Sequence, residues 1–134
     1  LIIGFTCGAF DLLHTGHLAM LKEAKQQCDY LLVGLHTDPS KDRQEKNSPV
    51  QSVFERYYQL ASCRDVDNII PYDTELDLEN MMGILDMNIR FVGADHINDY
   101  ITGQDIMKER GIKVVFTGRH HCYSSSELRE RILR

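Results

Sequence analysis

Short apolar runs alternate with helical patterns along the whole chain, and that alternation leaves few folds open. Residues 1–6, 30–35, 68–71, 89–92 and 112–116 read as strands, short and apolar as strands covered on both faces should be. Between them lie five helical patterns. The first covers about residues 16–27, with Leu18, Leu21, Ala24 and Cys28 on one side. A second opens at Ser52, where Glu55 three residues on makes a capping box, and continues through Phe54, Tyr57, Tyr58 and Ala61. A third starts near Asp77 and turns Leu78, Met81 or Met82, and Leu85 inward. The fourth spans about residues 103–110 and stops at Gly111. The last begins at Ser124, with Glu127 three residues on and Leu128 and Ile132 directed inward. Strand–helix alternation implies right-handed βαβ units and a parallel sheet. The expected architecture is a single-domain α/β fold over residues 1–134, a doubly wound sheet of five parallel strands.

Composition narrows the function classes. With 15 Lys plus Arg against 20 Asp plus Glu, the net charge is −5, which argues against broad nucleic-acid binding but not against one small anionic ligand. No apolar run has the length of a membrane span, so no membrane insertion is expected. The first five residues are apolar but lack the basic flank and length of a signal peptide, and without Met, further residues are expected upstream. Cys7, Cys28, Cys63 and Cys122 stand far apart without a C-x-x-C pair, which predicts reduced thiols and a cytoplasmic location.

Ligands of doubly wound sheets sit outside the carboxyl ends of the strands, and polar chemistry gathers at those ends here. After the first strand comes Gly8-Ala9-Phe10-Asp11-Leu12-Leu13-His14-Thr15-Gly16-His17. A strand-to-helix turn offers backbone N–H groups and a helix dipole to an anion. His14 and His17, three apart, project to one side, and Gly16 lets a phosphate approach the backbone. A zinc pair is the competing reading of these histidines, with His120 and His121 as further ligands if all four converge. After the second strand comes a long irregular stretch, residues 36–51, holding Lys41 and Lys46. Gly93-Ala94-Asp95-His96 follows the fourth strand. Beyond the fifth, Ser124-Ser125-Ser126 open a helix as a second anion site, one of them serving as N-cap.

The G-x-F-D-x-x-H-x-G-H stretch resembles the signature of the H-x-G-H nucleotidylyltransferase superfamily, in the form of its cytidylyltransferase branch. The glycerol-phosphate cytidylyltransferases are most alike, with the phosphoethanolamine cytidylyltransferases next. Residues 119–126 align without gaps on that branch's R-T-x-G-I-S-T-T, and Phe91-Val92-Gly93-Ala94-Asp95-His96 is similar to its V-x-G-D-D-W. Ala94 and His96 depart from the pattern, as do Ala9 and Cys122. The resemblance implies a Rossmann-like fold and transfer of CMP from CTP to a small phosphate monoester, with release of pyrophosphate. It implies His14, His17, Lys46 and Arg119 as catalytic residues. Gly8, Ala9, Phe10, Asp11, Gly16, Gly93, Asp95, Ser124, Ser125 and Ser126 are the expected nucleotide contacts. Arg56, Arg64, Asp67 and His96 are the expected acceptor contacts, with Arg56 alternatively at a dimer interface. Asp11 orients the histidines or helps place Mg²⁺, which enters bound to the triphosphate. A homodimer is expected, with Tyr57 or Tyr58 meeting the partner. An ATP-dependent adenylyltransferase and a nucleotide sensor without turnover are the alternatives.

Overall fold

The computed structural model describes residues 1–118 and 125–134. Five strands, β1 (Ile3–Gly8), β2 (Tyr30–His36), β3 (Asn68–Tyr72), β4 (Ile89–Gly93) and β5 (Lys113–Thr117), form one sheet in the order β3-β2-β1-β4-β5, every neighbour parallel. The order reverses at β1, so the switch point falls beside the strand that leads into the histidine turn. Helices α1 (Thr15–Lys25), α2 (Val53–Ala61), α3 (Glu75–Ile84), α4 (Gln104–Arg110) and α5 (Ser125–Leu133) complete the fold.

The two faces of the sheet carry separate cores. On one, Leu21 and Ala24 of α1 and Leu60 of α2 pack on Leu31, Val33 and Phe91. On the other, Leu78 and Met82 of α3 and Met107 of α4 cover Phe5, Leu32 and Val92. The alternation of side chains along each strand divides the apolar residues between the two layers. Gly34 in β2 keeps this packing tight, because a Cβ there would stand 2.9 Å from the Phe5 ring.

Helix boundaries follow local chemistry. Ser52 and Glu55 cap α2 reciprocally, as the sequence indicates. The α3 helix begins two residues earlier than Asp77, because Thr74 is the N-cap and Asp77 returns the bond as its N3 partner. Gly111 ends α4 in the left-handed conformation, at φ 72°. Two inward assignments and one generalisation need correction. Leu18 is 45% exposed and Ile132 70% exposed, whereas Leu85, the C-cap of α3, packs on the core as expected. Nor is β4 apolar throughout, since Arg90 lies within it, 5% exposed. No described helix is long and apolar enough to cross a membrane. Among the described cysteines, Cys7, Cys28 and Cys63 are free thiols, and burial pushes the pKa of Cys28 and Cys63 up.

Candidate functional site

The turn between β1 and α1 is held in an unfavourable backbone conformation. Phe10 and Leu12 have φ of 50° and 52°, the left-handed region that large side chains rarely enter. Several contacts fix it there. Phe10 is buried in the α1–α2 core. Asp11, 8% exposed, accepts the Val50 N–H at 2.8 Å and the Gln51 N–H at 2.9 Å. The Gln51 side chain returns an acceptor to the Leu12 N–H at 2.8 Å. Arg129 of α5 donates to Asp11 at 2.9 Å, so the last helix is tied to the same carboxylate. Asp11 therefore braces the turn, its two oxygens taken by three donors.

At the end of that turn the two histidines cap α1 together. His14 is the N-cap, and its Nδ1 accepts the Gly16 N–H at 3.0 Å. His17 Nδ1 accepts the His14 N–H at 3.2 Å. The rings lie 4.0 Å apart and Phe10 lies 5.5 Å from His17. Because each Nδ1 is an acceptor, the proton of each neutral ring resides on Nε2. Burial, then the neighbouring His14, lowers the His17 pKa to about 4, against a smaller lift from Asp11. At neutral pH His17 is thus an uncharged Nε2–H donor. The Gly16 N–H is held by the His14 ring.

The long segment after β2 is pinned at both ends. Asp38 caps a single 3₁₀ turn, Pro39–Lys41, and Asp42 accepts the Glu75 N–H while Arg43 pairs with Glu75 at 3.4 Å. Its far end is the Val50–Gln51 clamp on Asp11. Lys41 lines an open cleft with Asp38, Ser48, Gln51 and Ser52. Lys46 is exposed and does not line that cleft.

The expected acceptor contacts Arg56, Arg64 and Asp67 fall in two places. Arg56 is 1% exposed and donates to the carbonyls of Ala9, His36, Thr37 and Gln51, joining the ends of β1 and β2 to the start of α2. Arg64 and Asp67 precede β3, at the amino edge of the sheet, and five residues of strand put them about 16 Å from the carboxyl edge. Asp67 there pairs with Lys25 and accepts the Leu31 N–H; despite the opposing effect of burial, these bonds lower its pKa and raise that of Lys25.

Gly93, the last residue of β4, and Asp95 and His96 in the 3₁₀ turn after it do lie at the carboxyl edge, where His96 bonds Asp99 at 3.0 Å and Asp95 is exposed. Gly8 and Ala9 lead into the histidine turn. Ser125 and Ser126 are in the first turn of α5, whereas Arg119 and Ser124, like His120, His121 and Cys122, lie outside the described residues. Gln51, Arg129 and Arg90 carry structure that the sequence reading missed; of these only Arg90, a charge inside an apolar strand, left a visible signal. Among the described residues no group of three His, Cys, Asp or Glu converges as a metal cage.

The likeness to known proteins covers the same ground. A cytidylyltransferase-like family model matches residues 5–131. The bifunctional protein HldE of Paramagnetospirillum magneticum is 40% identical over 114 residues, 84% of this chain and 23% of that protein. HldE of Caulobacter vibrioides is 36% identical over 131 residues, 97% of this chain and 27% of that protein. The chain thus spans about a quarter of the length of these relatives. A lipopolysaccharide core biosynthesis protein from Thermoplasma volcanium superposes with a TM-score of 0.73 at 24% identity, covering 90% of this chain and 98% of that one. Pantothenate synthetase from Thermus thermophilus shares the fold at a TM-score of 0.65 and 14% identity, covering 98% of this chain and 64% of that one. The family match spans both the histidine turn and the serine-led helix, and the chain belongs to the cytidylyltransferase-like family.

Proposed function

We propose that this protein is a nucleotidyltransferase that transfers CMP from CTP to a small phosphate monoester, such as a glycerol 3-phosphate-like acceptor, releasing pyrophosphate. The observation that carries this is the reciprocal cap of His14 and His17, which sets both rings as Nε2–H donors at the carboxyl end of β1. An acceptor phosphate oxygen attacks the α-phosphorus in line, the bond to the bridging oxygen breaks, and pyrophosphate leaves with that electron pair. No covalent enzyme intermediate is needed. The chemistry asks the protein for positioning and charge stabilisation. His14 and His17 donate to the α-phosphate as charge builds on its equatorial oxygens. A lysine of the loop after β2, Arg119 and the Ser124–Ser126 helix start hold the β- and γ-phosphates. The geometry favours Lys41 over Lys46, since Lys41 lines the cleft. Magnesium arrives as part of the nucleotide substrate.

A homodimer accompanies this reading. Val50, Val53, Phe54, Tyr57 and Tyr58 are 70, 38, 72, 42 and 65% exposed, an aromatic face on α2 and the segment before it.

The test is a pyrophosphate-release screen of CTP, ATP, GTP and UTP against a panel of phosphate monoesters. A cytosine pocket leaves polar groups unpaired against adenine, at about 1–3 kcal/mol each, so CTP should exceed ATP by tenfold or more. The second reading is ATP as donor. It is favoured by Ala94 and His96, which replace the branch's acid and aromatic residue. Turnover with ATP above CTP would establish it in place of the first.

A further inference from the structure

Among the described residues, Arg90 carries a charge with no oxygen acceptor at hydrogen-bond distance. It lies in β4 opposite Phe5 of β1, on the face covered by α3 and α4, and is 5% exposed. A guanidinium has five N–H donors, yet the acceptors around this one are sulfur atoms, Met82 Sδ at 3.3 Å and Cys7 Sγ at 3.2 Å. Nε is buried without a partner, and the Phe5 ring centre lies 5.4 Å from the guanidinium carbon. Among the described residues no carboxylate stands within ion-pair distance of it. Glu75, at the start of α3, is held by Arg43 and Thr102 instead. Taking a cation out of water costs several kcal/mol, and thiol and thioether sulfur are weak acceptors. The fold therefore keeps a cation that an anion would stabilise.

Its place in the sheet says which anion. Cys7, half-buried, immediately precedes Gly8, where β1 opens into the histidine turn. The histidines cap α1, which lies on the opposite face of the sheet from α3 and α4. In-line displacement brings the attacking oxygen in opposite the leaving pyrophosphate. With the leaving group toward α1 and α5, the acceptor enters from the side of α3 and α4. We infer that Arg90 is an acceptor-binding residue whose terminal N–H groups exchange sulfur for the oxygens of the acceptor's phosphate, an inference that rests on the nucleotidyl-transfer reading.

The experiment is calorimetric titration of inorganic phosphate into the wild type, Arg90→Met, Arg90→Lys and the double variant His14→Ala/His17→Ala, with melting curves in phosphate-free buffer. Phosphate should still bind the histidine double variant, bind Arg90→Met at least tenfold more weakly, and bind Arg90→Lys several-fold more weakly, because lysine keeps the charge but not the fork. Arg90→Met should melt no lower than the wild type, since methionine fills the space without an unpaired charge. Wild-type phosphate affinity in Arg90→Met, or its loss in the histidine variant alone, overturns the inference. So does an Arg90→Met protein that melts well below the wild type. If Arg90→Met fails to fold, unchanged affinity in Arg90→Lys overturns it and a several-fold loss there supports it. Phosphate binding is read without turnover, so its failure is distinct from that of the nucleotidyl-transfer reading, which fails if no nucleotide and acceptor pair releases pyrophosphate.

Discussion

Replacing Asp11 by asparagine tests whether that carboxylate holds the histidine turn in its strained form. Phe10 and Leu12 sit in the left-handed region, at about 1–2 kcal/mol each, so the turn carries roughly 2–4 kcal/mol of strain. Against this stand the Val50 and Gln51 N–H bonds and the Arg129 ion pair, all on the Asp11 carboxylate. Asparagine keeps the shape but turns one of the two oxygens into a donor. Whichever way the amide faces, at least one donor loses its acceptor and meets an N–H. An unsatisfied N–H costs about 1–3 kcal/mol and a lost bond to a charged partner about 1.5–3 kcal/mol. The sum, about 2.5–6 kcal/mol, is comparable to the strain it restrains. Urea unfolding of Asp11→Asn should show a loss of that size, and nucleotide affinity should fall with it as the turn relaxes. Arg129→Ala alone should cost only about 1 kcal/mol, because that ion pair is partly exposed. Asp11→Asn within about 0.5 kcal/mol of the wild type would refute the reasoning.

The lowered pKa of His17 makes acid stability a second test. Between the ordinary histidine value of 6.5 and about 4, the unfolded chain binds the proton and the folded one does not. That contribution is fully present above pH 6.5 and lost as pH falls toward 4; screening of the partly exposed ring limits it to about 2 kcal/mol. Unfolding measured across this range should flatten in His17→Gln. For the loop lysines, Lys41→Ala should weaken triphosphate binding about tenfold and Lys46→Ala much less, as one charge-assisted contact is worth about 1.5 kcal/mol; calorimetry with both variants decides between them. Phe54→Asp/Tyr58→Asp should convert a dimer to a monomer in light scattering, and a wild-type monomer at micromolar concentration would count against the α2 interface.

Local signals carried most of the fold. The apolar runs located all five strands to within two or three residues, because each is bounded by a polar loop. Ser52–Glu55 marks α2, while the start near Asp77 expected for α3 is two residues late because Thr74, not Asp77, is the N-cap. Long-range contacts were not legible in this way. Arg56 looked like a solvated helix arginine, and its burial depends on carbonyls from β1, β2 and the loop before α2. Ile132 follows helical spacing, yet it is 70% exposed. The placement of Arg64 and Asp67 was legible, since parallel strands put residues before β3 at the amino edge. The histidine turn was visible as a motif, but its reciprocal cap and the resulting Nε2 protonation needed coordinates.

The central claim is that His14 and His17 donate to charge that develops only in the transition state. Its most direct measurement is kcat together with nucleotide Kd for His14→Ala, His17→Ala and the double variant, with melting temperature as the control. Each single variant should lose about 10²–10³ in kcat while Kd changes only a few-fold. The double variant should lose less than the product of the two, because both rings act on one phosphoryl group. Near-normal turnover in either folded single variant, or a Kd that rises as much as kcat falls, would contradict the account.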